Sequence, residues 1–225
     1  MIKYIDRYYL NGEMYGIKFA SPSRLPAEYQ EVEYIESSWT QWIDTWVIPN
    51  QDTVSQIKVR FIAFSWNVVF GYNQSSDNDQ TDYRFFTGYA YADGTIRSPW
   101  RCVFDIPINQ RIETAENTFT IDTDYNLEVG NFYVKDLDTE TNIWTWTPTS
   151  SFIWTTTITL DHCAANNQNS SSRWYSVVIN DWVDDVLNLV PCYRKSDDVI
   201  WMYDTINNQF YTNSGSWDFT KWPNI

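Results

Sequence analysis

Short runs of strand-forming residues alternate with polar turn residues along most of this chain. The clearest run covers residues 54–64, where Ile57, Val59, Phe61 and Ala63 recur at every second position. Successive side chains of a strand point to opposite faces, so this alternation predicts a strand with one buried face. No long stretch repeats apolar residues at helical spacing. The pattern therefore predicts an all-β protein.

From residue 29 onward such runs follow one another at intervals of about ten residues, which favours a sandwich, jelly roll or barrel. The predicted strands are 31–36, 41–48, 54–64, 67–72, 83–90, 100–104, 118–121, 132–137, 153–160, 175–179, 186–190, 190–193, 199–204 and 209–212. The predicted polar loops are 74–82, 122–126, 138–142 and 166–172.

The first twenty residues predict a β-hairpin. Two strand-like runs, 2–10 and 13–19, are joined by Asn11-Gly12, the pair that suits a type I′ turn. Two prolines then indicate an extended connector. The predicted organisation is a hairpin over 1–20, a connector over 21–28 and a β-sandwich over 29–225. Pairing of the hairpin onto the main sheet remains an alternative.

Composition and charge narrow the range of functions. Aromatic residues make up 18% of the 225 residues, and the formal net charge is −14. This acidic balance argues against binding to nucleic acid or to an anionic membrane surface. No apolar run is long enough to span a membrane, and the first residues lack the apolar core of a secretory signal. We therefore expect synthesis in a cytoplasm.

The sequence offers little for nucleophilic or zinc chemistry. Cys102, Cys163 and Cys192 have no metal-binding spacing and no even count for a disulfide framework. The single histidine, His162, supports neither a catalytic triad nor a usual zinc site. We predict that the cysteines act as small buried hydrophobic residues and that His162 is structural.

Two blocks of sequence resemble a known family. Residues 25–36 read LPAEYQEVEYIE, 40–45 read TQWIDT and 47–50 read VIPN, while the chain from Val190 to Pro223 begins VPCYRKSDDVIWMYD. They resemble a module of phages and prophages of anaerobic bacteria. That module opens with LPxEYxxVEYIExxGTQYIDTGxxPN and closes with VPCYRKSDGVIGxYDxxNxxFYTNxG. The two blocks bracket about 200 residues.

The resemblance implies a concanavalin A-like (LamG-type) jelly-roll β-sandwich with a short N-terminal hairpin. It also implies a non-enzymatic structural module of a phage virion or tail, which assembles with other virion proteins, forms a homo-oligomer and either holds a structural position or binds a host-surface glycan. A bacterial surface adhesin or carbohydrate-binding module is the alternative. A glycoside hydrolase is a third, remote hypothesis, because only Glu31, Glu33 and Glu36 could supply its catalytic carboxylates.

Two groups of residues are candidate sites. Aromatic rings suited to stacking on sugars occur in the section least like the family, at Tyr72, Tyr83, Tyr89, Tyr91 and Trp100. The hard oxygen ligands that Ca²⁺ prefers occur together at Asp77, Asp79 and Asp82. No other cofactor is expected.

Six tryptophans depart from the pattern of the family or of its turns. They stand where glycine is expected, and glycine is the residue that adopts positive φ freely. The chain has 13 tryptophans and only 7 glycines. Either the rings form aromatic platforms on loops, or UGA codons that the source reads as glycine have been translated as tryptophan. The six positions are Trp39, Trp46, Trp182, Trp201, Trp217 and Trp222.

Overall fold

The computed structural model describes the chain over the ranges 7–10, 13–16, 24–50, 52–62, 68–72, 82–86, 101–106, 110–113, 119–130, 133–145, 157–163 and 168–225. Within these ranges all regular structure is β-strand, and every strand pairing is antiparallel. The prediction of an all-β fold is confirmed.

The strands are short, and twenty of them fall within the described ranges. They are β1 (Arg7–Leu10), β2 (Glu13–Gly16), β3 (Tyr29–Glu36), β4 (Ile43–Asp44), β5 (Val54–Phe61), β6 (Val68–Tyr72), β7 (Asp82–Phe86), β8 (Arg101–Ile106), β9 (Gln110–Glu113), β10 (Asp124–Gly130), β11 (Tyr133–Asp136), β12 (Thr141–Thr145), β13 (Thr159–Leu160), β14 (His162–Cys163), β15 (Gln168–Asn169), β16 (Ser172–Asn180), β17 (Asp185–Arg194), β18 (Ile200–Asp204), β19 (Gln209–Tyr211) and β20 (Thr220–Asn224).

Two of the sheets are large. The first has ten strands in the order β12-β11-β10-β5-β16-β3-β17-β18-β19, with β20 paired to β3. The second has six strands in the order β4-β13-β6-β7-β8-β9. β14 pairs with β15, and β1 pairs with β2 in a two-stranded sheet of its own. Leu10 lies opposite Glu13 in that pair, and residues 11–12 lie outside the described residues.

The two large sheets share one hydrophobic core, which makes the fold a β-sandwich. Ile57, Val59 and Phe61 of β5 are buried, as the period-two pattern predicts, while Ala63 lies outside the described residues. They cluster with residues of the six-stranded sheet such as Phe70. The rings of Phe70 and Trp174 meet across the sandwich at a centroid distance of 6.4 Å.

A fully buried carboxylate lies inside this sandwich. Oδ2 of Asp161 accepts hydrogen bonds from Ser37 Oγ at 2.7 Å and Trp174 Nε1 at 2.6 Å. Oδ1 accepts from Ser170 Oγ at 2.5 Å and also from Ser172 Oγ. Burial raises the pKa of Asp161, and these four donors oppose that rise. The carboxylate thereby joins the end of β3, the start of β16 and the segment after β13.

β17 is buried on both faces. Leu187 and Leu189 belong to the main core, whereas Val190 and Cys192 pack in a second cluster with Leu25. Burial raises the pKa of the Cys192 thiol to about 12, which makes the thiol unreactive near neutral pH. The predicted behaviour of this cysteine as a small buried hydrophobic residue is confirmed. The side chains of Cys102 and Cys163 lie outside the described part of the structure.

Two predicted strands, 186–190 and 190–193, are one strand, β17. Pro191 lies between them, and a proline removes a hydrogen-bond donor. β17 pairs with β16 as far as Leu189 and with β3 from Cys192 onward. Pro191 therefore occupies the position where the strand changes partner on that edge, and the strand continues through it.

Other predicted boundaries are wrong in both directions: some predicted loops contain strands that begin with polar residues, and some predicted strands are not strands. The predicted loop 122–126 contains the start of β10, whose Leu127 and Val129 are buried. The predicted strand 118–121 is not a strand over 119–121. The predicted loop 166–172 contains β15 and the start of β16, and β12 begins inside the predicted loop 138–142. Of the predicted strand 41–48 only β4 is a strand.

Candidate functional site

The described chain has a depression on the outward side of the ten-stranded sheet, which we call the outer cleft. Its volume is about 280 Å³. It is lined by Asp52, Val54, Gln56, Glu128, Tyr133, Val178, Asn180, Trp182 and Asp185.

Strand alternation and register explain how this cleft forms. Ser55 and Ile57 of β5 are buried, so Gln56 between them points outward. Gln56 lies opposite Glu128 of β10 on one side and Val178 of β16 on the other. These three residues make the floor.

A second row of residues lies two positions away along each of the three strands, on the same face. Val54 of β5 lies opposite both Gly130 and Asn180. A Cβ on Gly130 would overlap the Tyr133 ring, so the absence of a side chain leaves room for that ring in the cleft. Asn180 Nδ2 donates to Asp185 Oδ1 at 3.2 Å across the β16–β17 turn.

Glu128 is the best-anchored polar group of the cleft. Gln56 Nε2 donates to its Oε2 at 3.0 Å, and the Tyr133 hydroxyl donates to its Oε1 at 2.9 Å. Burial and the bond to Glu128 raise the pKa of Tyr133 above its ordinary value, so the phenol stays protonated and remains a donor. The carboxylate is thereby held in one orientation.

The chemistry of the cleft suits a polyhydroxylated ligand. Three carboxylates, from Asp52, Glu128 and Asp185, supply hydrogen-bond acceptors, while Gln56 and Asn180 supply amides. Tyr133 and Trp182 supply aromatic surface. The three negative charges disfavour an anionic ligand and favour a neutral or amine-bearing one.

The predicted glycan-binding aromatics fall elsewhere in the chain. Tyr72 and Tyr83 lie opposite one another on β6 and β7, where only the main chain is described. Tyr89, Tyr91 and Trp100 lie outside the described residues. That site remains a prediction.

The predicted Ca²⁺ site also remains a prediction. Asp77 and Asp79 lie outside the described residues, and Asp82 is described in main chain only, at the start of β7. Among the residues that the structure describes, no group of three or more histidine, cysteine or acidic side chains is placed to hold a metal ion.

The three glutamates that the glycoside hydrolase hypothesis depends on all lie on β3, but they contact different groups. Glu31 pairs with Arg24, and Glu36 pairs with Arg173 at 2.5 Å. Glu33 is exposed. Two of the carboxylates are thus engaged by guanidinium groups from different parts of the chain. His162 is buried, and its ring stacks on Trp42 at a centroid distance of 4.1 Å.

Four of the six anomalous tryptophans have positive φ. The angles are 73° at Trp39, 57° at Trp46, 96° at Trp182 and 67° at Trp217. The other two, Trp201 and Trp222, lie in strands β18 and β20 and do not have positive φ.

Sequence reasoning missed the outer cleft. Its residues come from β5 and the segment before it, from β10 and β11, and from β16 and the β16–β17 turn, which are far apart in the chain. The only local signal was the turn that follows Asn180, where Trp182 replaces an expected glycine. The remaining residues are ordinary outward-facing positions, and only the strand register brings them together.

Comparison of the chain with protein-family models, with curated proteins and with solved structures found no match. Over the described ranges, no helix combines the length and the apolar character needed to cross a bilayer.

Proposed function

We propose that this chain is a non-enzymatic β-sandwich module of a phage virion or tail, of the concanavalin A-like jelly-roll type, which binds a host-surface polysaccharide in the outer cleft. The observation that carries the binding proposal is the fixed Glu128 carboxylate between Gln56 and Tyr133. The resemblance of segments 25–50 and 190–223 to a phage module supports the virion context.

Several features support binding rather than catalysis. Glu128 accepts two hydrogen bonds from neutral side chains, which orient it as an acceptor for a sugar hydroxyl. The three glutamates of β3 do not line the cleft. A cleft of about 280 Å³ lies near the lower limit of small-ligand sites, so it suits one or two sugar rings within a longer chain.

Binding to purified bacterial polysaccharides tests the proposal. We expect neutral or amine-bearing glycans to bind and acidic ones to bind more weakly. Glu128→Gln removes a charged acceptor but keeps the shape, and it should weaken binding about tenfold. Asn180→Ala should weaken binding about fivefold. Isothermal titration calorimetry measures both effects.

Asn126→Ala is the matched control. Asn126 is an amide on β10, two residues from Glu128, that donates to Asp138 outside the cleft. Its loss should leave affinity unchanged. Absence of binding to every glycan, or equal affinities for all four proteins, would overturn the cleft assignment. Release of reducing sugar from a polysaccharide during incubation with the protein would contradict the proposal that the protein is not an enzyme.

The virion context needs a separate measurement. Peptides of this chain should be recovered from phage particles purified from the source by density gradient, together with capsid or tail proteins. Recovery only from the cell envelope of uninfected bacteria would favour the bacterial surface adhesin instead.

A further inference from the structure

Four tryptophans hold a backbone conformation that a bulky L-residue rarely adopts. Trp39, Trp46, Trp182 and Trp217 all lie in the left-handed region. There the Cβ approaches the carbonyl oxygen of the chain, and only glycine avoids this contact. The other positive-φ residues with side chains in the described ranges are mostly the types that tolerate this region: Asp122, Glu140, Asp161, Asp198 and Asn208.

Burial does not compensate these four residues for the strain. Their exposed fractions are 41% for Trp39, 60% for Trp46, 72% for Trp182 and 80% for Trp217. A large indole ring in water gains little from the hydrophobic effect. Each position thus combines an unfavourable backbone with an apolar side chain that is exposed over 41–80% of its surface.

Two other tryptophans show what a structural tryptophan looks like in the same chain. Trp174 is fully buried, and its Nε1 donates to Asp161 at 2.6 Å. Trp42 is half-buried and stacks on His162. Neither has positive φ. Trp42 and Trp174 are therefore packed residues with ordinary backbone, whereas Trp39, Trp46, Trp182 and Trp217 combine exposure with a glycine-like backbone.

At Trp46 and Trp182 the turn is stabilised by hydrogen bonds that do not involve the indole rings. The Trp46 amide donates to Asp44 Oδ1, and the Trp182 amide donates to Asn180 Oδ1, each at 2.8 Å. Such turns are made by main chain and Asx side chains, and they need no ring at the residue that follows.

We infer that Trp39, Trp46, Trp182 and Trp217 are glycine in the protein made by its natural source, because that source decodes the codon at these positions as glycine. The codon that fits is UGA. It differs from the tryptophan codon UGG in its third base and from the glycine codon GGA in its first. The scarcity of glycine, 7 residues against 13 tryptophans, has the same explanation.

The outer cleft does not depend on the ring at position 182. Glycine there removes the indole ring from the lining but none of the other lining side chains, which include Gln56, Glu128, Tyr133, Asn180 and Asp185. The glycan-binding proposal and the proposal of glycine at these positions can therefore be refuted independently, because the first is tested by binding affinity and the second by peptide mass.

Peptide mass spectrometry on protein from the native source, together with the sequence of its gene, tests the inference. We expect glycine at all four positions, each encoded by UGA, and tryptophan encoded by UGG at Trp42 and Trp174. Tryptophan in the peptides that cover the four positions, or UGG in the four codons, would overturn the inference.

Recombinant protein gives an independent test. The variant W39G/W46G/W182G/W217G should unfold at a higher temperature than the parent, by about 2–4 °C for each position. The matched control Trp42→Gly removes a half-buried stacked ring and should lower the midpoint. If the quadruple variant unfolds at or below the temperature of the parent, the inference that these four positions favour glycine is wrong.

Discussion

Asp161 shows how one residue can hold distant segments together. Its carboxylate accepts hydrogen bonds from three serines and from the Trp174 indole, and its own φ is 59°. Aspartate tolerates that backbone better than most residues, because its short polar side chain is compatible with the left-handed region. One residue therefore satisfies several buried donors and also shapes the chain after β13.

Removal of this acceptor should be costly. Asp161→Ala removes the acceptor of the buried Trp174 indole N–H and places an alanine at positive φ, so it should lower the free energy of unfolding by about 3–5 kcal/mol. Asp161→Asn keeps an acceptor for Trp174 and keeps the backbone tolerance, so it should cost only about 1–2 kcal/mol. Urea unfolding measures both values. Equal losses in the two variants would contradict this role.

Asp124 forms a charged cluster with Arg60 and Tyr175 on the outward sheet face. Arg60 donates to both carboxylate oxygens at 2.7 Å, and the Tyr175 hydroxyl donates to Oδ1 at 2.7 Å. The bond from Arg60 lowers the pKa of Asp124, and burial raises the pKa of Tyr175 to about 12. A carboxyl with a lowered folded-state pKa stabilises the fold above its unfolded-state pKa, near 4, and loses that effect as the pH falls through the folded-state pKa.

The difference in unfolding free energy between the parent and Asp124→Asn should therefore depend on pH. We expect about 0.5–1 kcal/mol at pH 7, limited by solvent screening, and less at pH 2–3. Urea titrations at both pH values measure it. The control Asp184→Asn alters an exposed turn residue that bonds through its main chain. An Asp124→Asn effect that stays constant with pH would rule out the ion pair as its source.

At the scale of elements, the sequence predicts strands well where apolar alternation runs along the whole strand and poorly where a strand begins with polar residues. β5 and β16 carry regular buried positions; the predicted strand 54–64 covers all of β5, and the predicted strand 175–179 covers the central part of β16. β10 begins with Asp124-Tyr125-Asn126, a turn-like composition, and only its pairing with β5 makes that segment a strand. Pairing partners lie far along the chain, so local composition cannot reveal them.

Loop contacts are equally hard to predict, and the loop at Gly215 is a testable case. Ser216 and Ser214 donate main-chain hydrogen bonds to the carbonyls of Thr40 and Trp42, at 3.0 and 2.8 Å. A Cβ on Gly215 would overlap the Thr40 carbonyl oxygen, which belongs to the backbone and cannot rotate away. This close approach joins the turn after β3 to the chain before β20.

Gly215→Ala should lower the free energy of unfolding by about 1–3 kcal/mol, because the two loops must move apart. Gly130→Ala is the matched control, since its Cβ would meet the Tyr133 ring, a side chain that can rotate. Chemical denaturation of both variants gives the comparison. A smaller loss for Gly215→Ala than for Gly130→Ala would show that the loop contact is not needed.

At the scale of the whole molecule, period-two alternation and aromatic content were enough to predict the β class. The candidate site was not predictable in the same way. Gln56, Glu128 and Asn180 carry no motif, and they become neighbours only through the register of β10, β5 and β16. The anomalous tryptophans differ in this respect, because the sequence singles them out: the positive φ at Trp182 fits the glycine that turn chemistry expects, and the positive φ at Trp217 fits the glycine of the family pattern.

The pairing of β20 with β3 has a mechanical consequence. The strands are antiparallel, with Thr220 opposite Glu36 and Asn224 opposite Val32. The first residue of β3 and the last of β20 therefore lie at the same end of the pair. A pulling force applied between these two ends peels β20 from β3 one hydrogen bond after another, instead of shearing all the bonds at once. β3 itself stays held on its other edge by β16 and β17, so only β20 yields before the load reaches the rest of the sheet.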